Sequence, residues 1–413
     1  MSNKYFPIKT ATSCQLKWTW STIFLYSGET SSCHRAGHSK LNLEDFDDFH
    51  NTPLKISDRN KMLDGEWPGG GCEYCKQIED AGGSSDRMMH MAIPNLVPTE
   101  LETDLTATRV TPKLLEIYLN NTCNLSCVYC SGLYSSKLNF ENIKFNESTD
   151  NINISNFPTF NIISGDQQSK YVTAFWQWMN KNSASLSRIH VMGGEPFYQK
   201  EFDDLLTYFE NNAHPQLEFN IVTNLMISLP KLTAYVNRIK NLVATKKIRR
   251  LDITCSIDCW GKEQEFVRYG IDLVKWETNF NYLLSQSWIV LNINQTISSL
   301  TIKTMPKLLL KLKEWKETRA VGHYFSEVAP GPLYLKPTIF GNEIFKEDFE
   351  IILSLMNDTT HREQEAKKYM KGIQTHVLAS SADTQEIENL KLFLNEIDRR
   401  RNTNWKELFP WIQ

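Results

Sequence analysis

From residue 113 onward, short apolar runs alternate with amphipathic stretches, the pattern of strands and helices taken in turn. Leu114, Leu115, Ile117 and Leu119 predict a buried strand, which Asn120-Asn121-Thr122 ends. Tyr171, Phe175, Trp178 and Met179 fall at helical spacing and predict a helix over 169–182. Further strands are expected at 188–192, 218–222, 251–257, 288–297 and 321–328. Helices are expected at 201–211, 229–244 and 301–317, the last interrupted early by Pro306. Pro330, Pro332 and Pro337 then stop regular pairing. Residues 343–400 carry helical patterns with charged faces, Arg399-Arg400-Arg401 reading as a solvated helix end. The aromatic close at 404–412 is expected to pack down. Six strands alternating with helices predict an α/β fold, a parallel sheet curled into a partial, TIM-like (β/α)6 barrel over 113–340 with a helical C-terminal extension at 341–413. Periodicity lapses between 131 and 168, a stretch rich in Asn and Ser. It reads as a long loop that caps a site or as a surface excursion.

The first hundred residues differ from the rest. Trp18, Trp20, Ile23, Phe24, Leu25 and Tyr26 before a turn at Ser27-Gly28 predict a β-hairpin with Cys14 at one end and Cys33 at the other. Cys72-Glu73-Tyr74-Cys75 follows Gly69-Gly70-Gly71 as a C-x2-C knuckle, a common way to aim two thiolates at one metal. Together these four cysteines suit either zinc or a complete 4Fe–4S cluster, and residue chemistry alone leaves both open. His34 and His38 stand nearby and read as surface or supporting residues. Residues 1–91 are taken as a small N-terminal domain and 92–112 as the linker that docks it.

Composition narrows the setting. The chain has 413 residues, 41% of them hydrophobic, enough for a large domain and a small one. Its 45 basic and 48 acidic residues leave a net charge of −3, which gives no strong nucleic-acid signal. No stretch approaches the roughly 18 apolar residues of a membrane span, and the start lacks the apolar core of a signal peptide. A cytoplasmic location with no membrane partner is expected, where nine cysteines point to metal ligation rather than disulfides.

The densest chemistry is Cys123-Asn124-Leu125-Ser126-Cys127-Val128-Tyr129-Cys130. Three thiols within one loop can converge on an iron–sulfur cube, since Cys thiolates are the usual ligands of such clusters. Three ligands for four irons leave one iron open, as catalytic metal sites do. The plainer readings are a zinc site with a distant fourth ligand, or buried cysteines. Downstream, the 188–192 strand ends in Gly193-Gly194-Glu195-Pro196, where glycines allow close approach to the backbone and Glu195 offers an acceptor to a cation. Other predicted strand ends carry Thr223-Asn224, Ser256-Ile257-Asp258 and Glu327. Ligands bind at such carboxyl ends, so these groups are expected to share one mouth. Cys255 and Cys259 lie four apart and share a face. They are candidates for handing a hydrogen atom or proton to a substrate radical, against the plainer reading of buried structural cysteines.

C-x3-C-x2-C after a strand, with Tyr129 just before the last Cys, resembles the radical S-adenosylmethionine (SAM) enzymes. The resemblance implies a 4Fe–4S cluster on Cys123, Cys127 and Cys130 whose open iron chelates SAM. SAM is then cleaved to a 5′-deoxyadenosyl radical that removes a substrate hydrogen. It implies that Gly193, Gly194 and Glu195 bind the SAM ammonium, that Thr223, Asn224, Ser256 and Asp258 reach SAM, and that Arg268 pairs with its carboxylate. Leu225 stands where the family's Thr-Asn-Gly element has Gly. Residues around Ser298 would lie under the adenine.

A narrower resemblance is to radical SAM proteins with an N-terminal Twitch domain, related to SPASM domains. It rests on Met62-Leu63-Asp64-Gly65-Glu66-Trp67-Pro68, Cys72 and Cys75, Glu79, Gly82, and Ser84 or Ser85 with Asp86-Arg87. It tips Cys14, Cys33, Cys72 and Cys75 from zinc toward a second, auxiliary 4Fe–4S cluster. It implies a peptide or protein substrate, with a small molecule, carbohydrate or nucleotide as the alternative, and a reductant such as flavodoxin or ferredoxin. The competing class is a non-catalytic protein with structural zinc at both cysteine groups, which leaves Gly193–Glu195 and Arg268 without a role.

Overall fold

The Arg188–Met192 strand buries alternate side chains, Ile189 and Val191, while Leu114–Tyr118 is buried along nearly its whole length. These are the patterns of half-covered and fully covered strands. In the computed structural model, which describes residues 5–80, 85–91, 96–146, 157–160, 165–327 and 332–412, both lie in a largely parallel sheet of a mixed α/β fold. The chain forms two compact units. The first comprises Met1–Asn121, Asn161–Ile221 and Tyr235–Leu251, and the second Thr122–Phe160, Val222–Ala234 and Asp252–Gln413.

In the first unit the strand order is His214–Thr223, Arg188–Met192, Leu114–Tyr118, Trp20–Phe24, Glu29–Ser31 and Ser39–Lys40. The first four run parallel, with Arg188 opposite Glu218 and Leu114 opposite both Arg188 and Trp20. The hairpin Trp20–Phe24 with Glu29–Ser31 thus adds its strands to the main sheet. It is shorter than expected, because Gln15–Thr19 forms a helical turn before it. Sequence reading found few helices here, yet Pro53–Leu63 is one, started by Pro53 in its first turn and by the Thr52 hydroxyl, which accepts from the Lys55 N–H. Residues 92–95 of the expected linker, and Gly82 and Ser84, lie outside the described residues. The rest of the linker enters the core, where Leu101 and Val110 pack with Phe6, Trp18 and Met62.

In the second unit Gly322–Glu327 pairs parallel with Val290–Ile297, which pairs parallel with residues 252–256 of the Ile248–Ser256 strand. A separate antiparallel pair joins Ser126–Cys127 to Arg268–Tyr269. Helices Lys346–Leu355, His361–Leu378 and Thr384–Arg401 follow, and Asn402 closes the last in the left-handed conformation, φ 53°. Trp405, Phe409 and Ile412 are buried, so the aromatic close does pack down. Val328 and Pro330 lie outside the described residues.

Two expectations are corrected. Pro306 does not interrupt its helix. It sits at the start of Met305–Thr318, where its missing N–H leaves no bond unmade. The stretch after the cysteine loop is not all loop, since Ser136–Asn146 is a helix. Its asparagines hid it. Asn139 exchanges two bonds with the backbone of Phe160, 2.9 Å each, while Asn142 and Asn146 donate to the carbonyls of Pro158 and Phe157. Residues that favour loops in isolation here tie a helix to the chain returning beside it. Residues 147–156 and 161–164 lie outside the described residues. Among the described residues no helix is long and apolar enough to cross a membrane.

Phe202 is fully buried in the first unit, against the rings of Phe197, Phe219 and Tyr235. Phe202→Ala is expected to cost about 3–5 kcal/mol, read as a lowered urea midpoint.

Candidate functional site

The cysteine loop of the second unit is held from three sides. Cys127 pairs across the short antiparallel ladder with Arg268, and the Val128 N–H donates to Val267 O at 2.9 Å. The Cys123 N–H donates to Ser136 Oγ, and Ser135 Oγ donates to Leu125 O, so the helix after the loop grips its backbone. Asn224 Nδ2 donates to Asn124 Oδ1 at 2.8 Å and lies 3.9 Å from Cys123 Sγ, while Asn124 donates to Met226 O. The Thr223-Asn224 element is therefore built against the loop. Leu225 takes the left-handed conformation that glycine adopts most readily, φ 61°. Its N–H donates to Thr223 Oγ1, its carbonyl accepts from Asn279, and its fully buried side chain offsets the strain.

The three thiols feel one another. Burial pushes the Cys127 thiol up to about 12, with Cys123 adding to the rise and Arg268 and Arg401 opposing it. Burial also pushes Cys130 far up, reinforced by Cys127 and Cys123. Behind them lies a buried network centred on Asp258, which is fully buried. Its carboxylate accepts from Tyr129 OH at 2.6 Å, from Arg268 Nε and Nη2 at 2.8 Å each, and from the Thr296 N–H at 2.9 Å. Arg268 also faces the Tyr129 ring at 5.5 Å; burial works against its charge, but Asp258, Tyr129 and Cys127 together outweigh it, so its pKa is raised. Two of its nitrogens are thus committed to Asp258. Ser256 is buried beside this network at the strand end. Cys255 and Cys259 are fully buried, and Gln264 Oε1 accepts from both the N–H and the thiol of Cys259. Burial pushes the Cys259 thiol far up.

Sequence reading missed the C-terminal arginines. Arg400 and Arg401 are not a solvated helix end; both are buried. Arg400 donates to Asn142 and Asn146, pairs with Glu396 and stacks on Phe157 at 3.9 Å. Arg401 donates to Glu141 at 3.0 Å and lies over Tyr269. The final helix therefore clamps the helix that grips the cysteine loop. Only three-dimensional packing reveals this, because a run of Arg at a helix end fits solvent equally well.

In the first unit, Gly193 and Gly194 have φ of 84° and 44°. A side chain at Gly193 would come within 2.8 Å of the Tyr118 ring, so the space beside it is taken by the protein itself. Gln199 Nε2 donates to Gly193 O and Asn120 O, and buried Glu195 caps the following turn by accepting from the Phe197 N–H.

The other four cysteines also share the first unit, and Cys14, Cys33, Cys72 and Cys75 line one small cavity. Cys72 and Cys75 lie in the first turn of the Cys72–Asp80 helix rather than in a loop. The glycines before them have a specific reason, since a side chain at Gly71 would fall 1.5 Å from Arg35 O. Burial pushes Cys14 up to about 12 and Cys72 up to about 11, with Cys33 adding to both and Lys17 opposing both. Lys17 is buried and pairs with Asp58 at 2.5 Å. The Twitch-like signature behind Cys75 is a brace, in which Ser85 Oγ donates to Glu79, Arg87 pairs with Glu79, and Arg87 Nη1 reaches Ser13 O. His34 and His38 are engaged by Asp86 and Glu29. Among the described residues no group of three or more His, Cys, Asp or Glu side chains is drawn together so as to hold a metal ion as it stands.

No family model matches the chain, and no curated protein matches it. Some solved structures resemble it weakly. "Native anSMEcpe with bound AdoMet" is 18% identical with a TM-score of 0.36, over 58% of each chain. The same protein "with bound AdoMet and Kp18Cys peptide" gives 18% and 0.36 over 59% of each. SuiB of Streptococcus suis gives 15% and 0.31 over 74% of this chain and 61% of its own. The chain thus spans under two thirds of the structures it resembles.

Two outcomes follow. Asp258→Asn leaves Arg268 buried without its counter-charge and is expected to cost about 3–5 kcal/mol, measured by chemical unfolding. Because burial raises the thiol pKa values of Cys14, Cys72, Cys75, Cys127 and Cys130, these thiols must lose protons to bind a metal at pH 7. Titrating the metal-free chain with Zn2+ is expected to release protons, with affinity rising as pH rises; affinity independent of pH between 6 and 8 would show that the thiols do not ligate.

Proposed function

We propose that the chain is a radical SAM enzyme acting on a peptide or protein. The observation that carries this reading is the three-thiol loop of Cys123, Cys127 and Cys130, held by Ser136, Asn224 and the ladder to Arg268, where Cys123 adds to the rise at Cys127, both add to the rise at Cys130, and two buried arginines oppose the rise at Cys127. Buried thiols that repel one another and face fixed cations are suited to hold a metal cluster rather than to pack as neutral side chains. When bound and reduced, a 4Fe–4S cluster here supplies the electron that cleaves SAM and so starts hydrogen abstraction from the substrate.

The chain's own residues would bind and orient. Cys123, Cys127 and Cys130 would ligate, leaving one coordination position for SAM. Gly193, Gly194 and Glu195 would receive the SAM ammonium, Glu195 as a buried acceptor. Asp258 would act through Tyr129 and Arg268, fixing both beside the cysteine loop. Thr223, Asn224 and Ser256 would complete the SAM contacts, and the Ser136–Asn146 helix would brace the loop against movement. Cys14, Cys33, Cys72 and Cys75 would hold an auxiliary 4Fe–4S cluster, an assignment supported by the cavity they share. The peptide substrate is implied by the Twitch resemblance; a cytoplasmic setting and a flavodoxin or ferredoxin reductant complete the proposal.

The test is anaerobic reconstitution with iron and sulfide, then reduction with SAM present. The full chain is expected to yield 5′-deoxyadenosine and bind about eight irons, against about four in a Cys123/Cys127/Cys130→Ala variant that makes no nucleoside. Equal 5′-deoxyadenosine from both proteins overturns the reading.

A further inference from the structure

A second feature lies at the other end of the second unit's strands. Gly322 opens its strand and Glu327 closes it, so the amino end is about 17 Å from the carboxyl end at ~3.3 Å per residue. At the amino end is a cavity of about 440 Å3, a size ordinary for small-molecule sites. Its apolar wall is Leu309, Leu312, Leu355 and Met356, and Lys313 and Arg362 line its polar side.

Two observations say what it would take. First, among the described residues neither Lys313 nor Arg362 has an ion pair or hydrogen bond; Arg362 only lies over the Tyr324 ring at 5.4 Å. Lys316, the remaining lysine of the lining, is by contrast neutralised by Glu363 at 2.7 Å. Two unspent cations therefore face one cavity. Second, the wall beside Arg362 is bare backbone at Gly322, where a Cβ would fall 3.3 Å from Arg362 Nη1 and 2.1 Å from Asn292 Oδ1. The glycine thus leaves the guanidinium its place at the cavity.

We infer that this cavity is a binding site for a small organic anion with an apolar body. The anionic head, carboxylate or phosphate, engages the Arg362 fork and the Lys313 ammonium. The body lies on Leu309, Leu312, Leu355 and Met356. None of these residues belongs to the cysteine site, so the assignment stands independently of the radical SAM reading.

Isothermal titration calorimetry on the full chain tests it with 2-hydroxyoctanoate, octyl phosphate and octylamine as probes. Either anion is expected to bind while octylamine does not, and the tighter of the two anions identifies the head group. Arg362→Gln with Lys313→Gln is expected to weaken the anion about tenfold or more, the worth of a charge-assisted contact. Gly322→Ala, whose Cβ would crowd Asn292 Oδ1 and Arg362 Nη1, is expected to weaken both anions. Circular dichroism checks that each variant folds; one that does not is replaced by Arg362→Lys, for which a smaller loss is expected. Equal binding of octylamine and the anions, no binding of either anion, or anion affinity unchanged in the folded double variant overturns the proposal.

Discussion

The second unit depends on one buried carboxylate. Asp258 is fully enclosed, and a lone charge there would be expelled or neutralised. Arg268 makes it tolerable through two bonds at 2.8 Å, and Tyr129 and the Thr296 N–H fill the remaining acceptor sites. Each partner comes from a different segment: Tyr129 from the cysteine loop, Arg268 from the strand paired with Cys127, Thr296 from the strand Val290–Ile297. A buried ion pair adds little net stability, but breaking it is costly, so it fixes geometry more than it adds strength. The loop that carries Cys127 and Cys130 is tied to Asp258 from both sides, by Tyr129 within the loop and by Arg268 on the strand paired with it.

This changes how the strand-end polar residues are understood. A sequence motif marks Asp258 and Arg268 as groups for a ligand, since polar residues at strand ends usually face one. In the fold they first serve each other. Likewise Gly193 suggests room for a ligand against bare backbone, yet Tyr118 fills that room.

Much of the fold was legible because its signals are local. Alternation of buried and half-buried positions marks Arg188–Met192, and the Leu229–Ala244 helix coincides with its apolar periodicity. The cysteine groups were legible because spacing alone brings three or two thiols together. What escaped reading depends on distant partners. Asn139, Asn142 and Asn146 favour turns until the backbone of 157–160 accepts them. Arg400 and Arg401 favour solvent until Phe157, Tyr269 and Glu141 enclose them. Leu225 breaks a glycine position that only Thr223 and Asn279 make affordable. In each case a polar or strained residue is stabilised by at least one partner eleven or more residues away in the chain, which local pattern does not identify.

The two cysteine groups are alike in this respect. Each sets buried thiols beside a buried cation that is itself paired with a carboxylate: Lys17 with Asp58 in one, Arg268 with Asp258 in the other. Without the carboxylate, burial would work against the cation's charge; the cation in turn offsets part of the rise that burial and repulsion impose on the thiols. The paired cation favours thiolate while adding no net charge when the thiols are neutral, so in the second unit the same pair that orients the loop also lowers the cost of ionising Cys127.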